Sequence, residues 1–159
     1  MTVISITGHR PEGIPDPLWT RAAMRDAYKE MNASLVIQGM AAGVDLWSAA
    51  EAWNSRIPFM AARPWATHTA RKADNMAYQW VLENAVKVVN VSDVTKYPGK
   101  FIYHTRNKYM VDNSEAVLTI WDGSVYGGTY DCFKYALAEG KPIYRIDPKL
   151  KVVHGWLNK

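Results

Sequence analysis

Apolar positions along the chain alternate between short runs and helical stripes. Val3-Ile4-Ser5-Ile6 predicts a first strand ended by Thr7-Gly8, and Trp19, Ala23, Ala27 and Met31, four apart, predict one face of a helix. Leu35-Val36-Ile37 predicts a second strand ended by Gly39, Val44 to Asn54 a helix, and Ile57 to Ala61 a third strand. Ala73, Met76, Ala77, Trp80 and Val81 recur at the spacing of one helix face. Val86 to Val89 reads as a fourth strand, 92–101 as a loop, Tyr103 to Asn113 as a helix and Ala116 to Trp121 as a fifth strand. Thr129, Cys132, Phe133, Ala136, Leu137 and Gly140 form a further helical stripe, and Pro142 to Ile146 a sixth strand. Strands separated by helix-sized crossovers require parallel neighbours with helices on both faces. The expectation is an α/β, Rossmann-like three-layer domain with a mainly parallel sheet of about six strands, spanning 1–148. Residues 149–159 are expected to be a short basic C-terminal segment, irregular or docked as an appendage.

Composition narrows the function classes. With 159 residues the chain fits one domain, and 48% hydrophobic with 21% charged residues excludes disorder as a description of the whole. One cysteine builds neither an internal disulfide nor a thiolate metal site, so a cytoplasmic protein is expected. No apolar run approaches the ~20 residues of a bilayer crossing, and the start MTVISITGHRP lacks the pattern of a secretion signal. No membrane partner is expected. The net charge of +4 has a location: residues 1–133 balance 13 basic against 13 acidic side chains, and the last 26 carry six basic against two acidic. A lysine-rich end of this kind is ordinarily a solvated one, so nucleic acid is an unlikely partner on charge alone.

In such sheets ligands bind beyond the carboxyl ends of the strands. After the first strand stand Gly8, His9 and Arg10, where the arginine offers a fork for phosphate or is merely solvated. After the second, Gly39 and Gly43 bracket a small-residue turn opening a helix, an anion-binding arrangement, with Asp45 placed for a ribose hydroxyl or for the helix start. Trp65, after the third, either stacks on a base or folds back over the core. After the fifth come Asp122, Gly123, Ser124, Gly127, Gly128 and Thr129, a second glycine-rich turn before a helix. Arg106 and Asn107, on the helix preceding that strand, reach toward the same turn or lie on the surface. GxGxxG and Walker patterns are absent. His9, His68, His104 and His154 lack paired spacing, so no metal site and no cofactor are expected. Cys132 falls on an apolar helix face and reads as a core thiol.

Four motifs in order, TGHRP (7–11), GMAAGVDLW (39–47), RNKYMVDNSEAVLTIWDGS (106–124) and GGTYDCFKYA (127–136), resemble the YpsA-like branch of the SLOG superfamily, bacterial or phage type. The resemblance runs from about Ile4 to Pro148. It implies a Rossmann-like fold binding nucleotides or nucleotide-derived ligands, and relatives that include the Lonely guy phosphoribohydrolases and DprA. Arg106 matches the Lonely guy arginine, and Gly127-Gly128-Thr129 match part of its glycine motif. The glutamate expected three residues after the threonine is replaced by Cys132. Hydrolysis of an N-glycosidic bond needs a carboxylate, which a buried thiol does not replace. Arg106, Asp45 and Asp122 are therefore the catalytic candidates if the chain is an enzyme. The leading expectation is a binder that senses or sequesters a phosphate-bearing nucleotide signal. An N-glycosidic hydrolase and a nucleic-acid-associated protein of DprA type are the alternatives. The resemblance also implies a homo-oligomer.

Overall fold

The computed structural model describes residues 1–159. One sheet holds seven strands in the order β4-β3-β2-β1-β5-β6-β7. They are β1 (Thr2–Gly8), β2 (Ala33–Gln38), β3 (Phe59–Trp65), β4 (Lys87–Ser92), β5 (Ala116–Ile120), β6 (Ile143–Asp147) and β7 (Val152–Trp156). The first six pair in parallel, and β7 runs antiparallel to β6. Helices α1 (Pro17–Glu30), α2 (Val44–Asn54) and α3 (Asn75–Asn84) cover one face, and α4 (Phe101–Asp112) and α5 (Gly128–Ala138) cover the other. The architecture is thus a three-layer α/β fold.

Local chemistry explains the main elements. Every residue of β5 is buried, as a central parallel strand covered on both faces requires. The Asp16 side chain accepts the Trp19 N–H at 3.1 Å and Pro17 opens α1, so capping and a preset φ start this helix together. α1 is then fastened to α2: the Tyr28 hydroxyl donates to the Ser48 carbonyl at 2.8 Å, and Arg21 and Arg25 hold buried Glu51 at 2.6 and 2.7 Å.

Three elements differ from the sequence expectation. The third strand begins later and extends through Pro64 to Trp65, so Trp65 ends a strand, opposite Ser92 of β4. In α3 the buried residues are Tyr78 and Val81, whereas Met76 is 87% exposed and Ala73 lies in the turn before the helix. Rotation of α3 carries the Tyr78 hydroxyl to His68, a polar requirement that apolar spacing does not register. Finally, the segment expected to be irregular or appended is β7. It extends the sheet beyond β6, because Asp147 accepts the N–H groups of Lys149 and Leu150 and reverses the chain.

Candidate functional site

The chain winds from β1 through β4 toward one edge and then returns to the other side of β1 as β5. The loops after β1 and β5 therefore diverge at the switch point of the sheet, where open α/β folds hold their ligands. A cavity of about 610 Å³ opens there. Gly8, His9, Arg10, Asp45, Trp65, Arg106, Asn107, Gly128 and Thr129 line it, so the fold brings together residues from five separate sequence regions.

Arg106 is the centre of its wall. The side chain is 8% exposed, its Nη1 donates to the Gly39 carbonyl, and its Nε donates to Asn107 Oδ1 at 3.1 Å. Its guanidinium also lies 5.8 Å from the centroid of the Tyr103 ring. Asn107 in turn donates to the Gly128 carbonyl at 3.4 Å, which ties α4 to the start of α5. Gly127, at φ +91°, precedes α5, and no side chain caps the helix. Its first-turn N–H groups are therefore not taken up by a capping side chain.

The two glycine-rich turns expected to cradle anions differ in kind. In the turn after β2, Gln38 accepts the Met40 N–H at 2.8 Å and Asp45 accepts the Ala41 N–H at 3.2 Å. The His9 carbonyl takes the Val44 N–H at 3.3 Å. This turn spends its donors internally, and neither Gly39 nor Gly43 lines the cavity. Gly39 instead makes room for Arg106: a Cβ there would meet Nη1 at 2.7 Å. A Cβ on Gly128 would meet nothing within 4 Å, so the α5 turn is open.

Asp122, Gly123, Ser124 and Gly127 also stand outside the cavity wall. Asp122 pairs with Lys149 at 2.9 Å and His9 at 3.3 Å and accepts the Ser124 N–H at 2.9 Å. Burial pushes its carboxyl up, but Lys149, Ser124 and His9 together hold it well below the usual carboxylate range. Asp45 is the single carboxylate of the cavity; burial raises its pKa against the pull of Arg106 and the Ala41 and Gly39 N–H groups. Cys132 is fully buried beside Val111, Val117 and Ala136, and burial pushes its thiol up to about 12.

Residues not singled out from sequence complete the wall. Arg71, Lys100, Tyr103 and His68 all line the cavity, so four cations with Arg10 and Arg106 face one carboxylate. Arg71 is held by Glu12 and Asp74, each at 2.6 Å. Trp65 stands edge to face with His68 at 4.8 Å, with Tyr97 at 5.3 Å and with Tyr103 at 6.1 Å. A search for paired histidines passes over His68, whose role follows from its aromatic neighbours. No group of three or more His, Cys, Asp or Glu side chains is placed to hold a metal ion, and no helix is long and apolar enough to cross a membrane.

Solved structures share this architecture. DNA processing protein A (DprA) from Streptococcus pneumoniae superposes with a TM-score of 0.70 over 91% of this chain at 16% identity. This is a DprA-like Rossmann fold. DprA from Helicobacter pylori, whose structure addresses its single-stranded DNA binding mode, gives 0.71 over 91% of this chain at 17% identity. The chain spans 50% and 65% of the lengths of those two DprA chains. An uncharacterized SPbeta prophage-derived protein, YoqJ of Bacillus subtilis, is 36% identical over 84 residues. That match covers 46% of this chain and 48% of YoqJ. No protein-family model matches the chain.

Proposed function

We propose that the cavity binds a nucleotide or nucleotide-derived ligand through its phosphate, and that the protein is a binder of such ligands. The observation that carries the reading is Arg106, a buried guanidinium bound to the Gly39 carbonyl beside the uncapped start of α5. A buried cation with no carboxylate bonded to it is costly unless an anion joins it. Arg10 and Lys100 at the same wall add charge, and the Trp65–Tyr103 aromatics supply a surface for a base. The four motifs support placing the chain within the YpsA-like branch of the SLOG superfamily. The N-glycosidase alternative is left with Asp45 alone, a carboxylate already engaged by its own turn.

Thermal shift and calorimetry with nucleoside monophosphates, NAD and ADP-ribose test this directly. A ligand present at 100 times its Kd stabilises by ~2.7 kcal/mol, and Arg106→Ala removes that shift. Retention of the shift by Arg106→Ala refutes the site. Chromatography of the same mixtures reports base release, which would turn the binder into a hydrolase.

Nucleic-acid association is the second reading, favoured by the shared fold with DprA, whose H. pylori structure addresses single-stranded DNA binding. The lysine-rich end is poorly suited to it. Lys149 and Lys151 pair with Asp122 and Asp16, Lys141 donates to the Ser114 carbonyl, and Arg145 lies over Trp121. Lys134 and Lys159 lie over Tyr130 and Trp156. A single strand would therefore enter at the cavity mouth by Arg10 and Lys100. Its signature is steeply salt-dependent binding that a mononucleotide displaces.

A further inference from the structure

His68 follows β3 on a short loop that is held far more firmly than its position on the surface requires. Its carbonyl accepts two hydrogen bonds, from the Tyr78 hydroxyl at 2.6 Å and from Arg63 Nη2 at 2.6 Å. The same loop is pinned at Ala66, whose N–H donates to the Val94 carbonyl at 3.1 Å, and at Thr67, whose hydroxyl donates to the Thr95 carbonyl at 2.8 Å. Arg63 leaves its buried Nε without a partner while serving this one carbonyl. A desolvated donor is given up so that one exposed turn keeps a fixed geometry.

What the geometry fixes is the protonation pattern of a ring. The Tyr78 hydroxyl stands 2.8 Å from His68 Nδ1. That hydroxyl has one proton and donates it to the His68 carbonyl, so toward Nδ1 it is the acceptor. With the hydroxyl proton assigned to the nearer acceptor, the carbonyl at 2.6 Å, the imidazole proton is placed on Nδ1 and Nε2 carries a bare lone pair. Nε2 has no partner in the chain and is not among the buried orphaned atoms, while the residue lines the cavity. Burial first, then Arg106 and Arg63, lower the ring's pKa to about 4, which keeps it neutral. The ring abuts Trp65, Trp65 abuts Tyr103, and Tyr103 abuts the Arg106 guanidinium. A phosphate at Arg106 thus directs the rest of its ligand along an aromatic wall that ends at a fixed hydrogen-bond acceptor.

We propose that His68 Nε2 reads the base of the ligand and selects a nucleobase with an exocyclic amino group, with Tyr78 and Arg63 as its positioning residues. This rests on the nucleotide reading of the cavity and names the ligand class within it. An amino group of adenine or cytosine donates to Nε2, whereas the carbonyl of hypoxanthine or uracil at the same place opposes one lone pair with another. A site built around one hydrogen bond rejects the analogue that cannot make it.

The test compares calorimetric affinities of AMP, 2′-deoxy-AMP, inosine monophosphate and purine riboside 5′-monophosphate for the wild type and the variants Arg106→Ala, His68→Phe, His68→Gln and Tyr78→Phe. AMP and 2′-deoxy-AMP are expected to bind alike, and both at least about tenfold more tightly than the two ligands lacking the amino group. His68→Phe abolishes that preference, so that AMP and inosine monophosphate bind with similar affinity. His68→Gln, whose amide both donates and accepts, narrows it. Tyr78→Phe narrows it too and changes the ring nitrogens from the wild-type signature, pyrrole-like Nδ1 and pyridine-like Nε2 by ¹⁵N NMR. A loss for 2′-deoxy-AMP equal to that for inosine monophosphate assigns Nε2 to the ribose hydroxyl and overturns the proposal. So does a protonated Nε2 in the wild type, or an amino preference that survives His68→Phe. Binding that depends on Arg106 but ignores the amino group refutes only the base assignment. Absence of binding by every nucleotide refutes the cavity reading and this proposal with it.

Discussion

A methyl group at Gly39 would come within 2.7 Å of the Arg106 guanidinium. Gly39→Ala should therefore push Arg106 off its carbonyl partner, at about 1–3 kcal/mol of overpacking. Calorimetry with AMP should show affinity lost to nearly the extent of Arg106→Ala, although residue 39 does not line the cavity. The glycine is legible in the sequence, but its reason is not: its turn reads as an anion cradle, whereas the missing side chain makes room for an arginine 67 positions away. Asp122 is the same lesson with opposite sign. Its position after β5 made it a natural site residue, and only the fold reveals Lys149 beside it. The burial of Cys132 is legible in its stripe, because helix periodicity reports burial directly. Its thiol, pushed up to about 12, should resist iodoacetamide at pH 8 in the native protein and react fully in denaturant, as intact mass will report.

Elements were read best where a single physical demand shapes them. α2 was predicted to its observed ends, Val44 and Asn54, because an apolar stripe opened by a glycine turn leaves little freedom. The β7 sequence, VVHGW, carries a histidine and a glycine and is largely exposed at the sheet edge, so no strand pattern marks it. Its existence depends on a tertiary partner, β6, and on the Asp147 turn. The α1–α2 clamp yields an asymmetric prediction. Arg21 and Arg25 are partly exposed, whereas Glu51 is buried between them. Changing both arginines to alanine strands a buried carboxylate and should cost about 3–5 kcal/mol. Glu51→Gln keeps the volume and frees two arginines to reach water, so chemical denaturation should show it to be the milder change.

For the molecule as a whole, acid is the revealing perturbation. Burial lowers the pKa of His9 and, with Arg106 and Arg63, that of His68, the latter to about 4. A histidine whose folded pKa lies below its unfolded value of about 6.5 takes up fewer protons when folded, so its stabilisation is full above that value and fades as pH falls. Asp122, held below its unfolded value, adds a further loss at lower pH. Melting temperature should thus fall from neutrality toward pH 4, and His68→Gln should flatten that slope. Equal slopes for the two proteins would contradict the assignment. The net charge gives no hint of this behaviour, since the excess lies in 134–159 and is spent on local partners.

The reversal into β7 also determines where the chain ends emerge. Met1 precedes β1 at the amino end of the parallel strands, and the antiparallel β7 carries Asn158 back to the same end, where its amide meets the Lys141 carbonyl at 3.0 Å. The cavity opens at the opposite end, so a label, an affinity handle or a fused domain at either terminus projects away from it. A tether at Met1 or beside Asn158 would leave the cavity mouth facing solution.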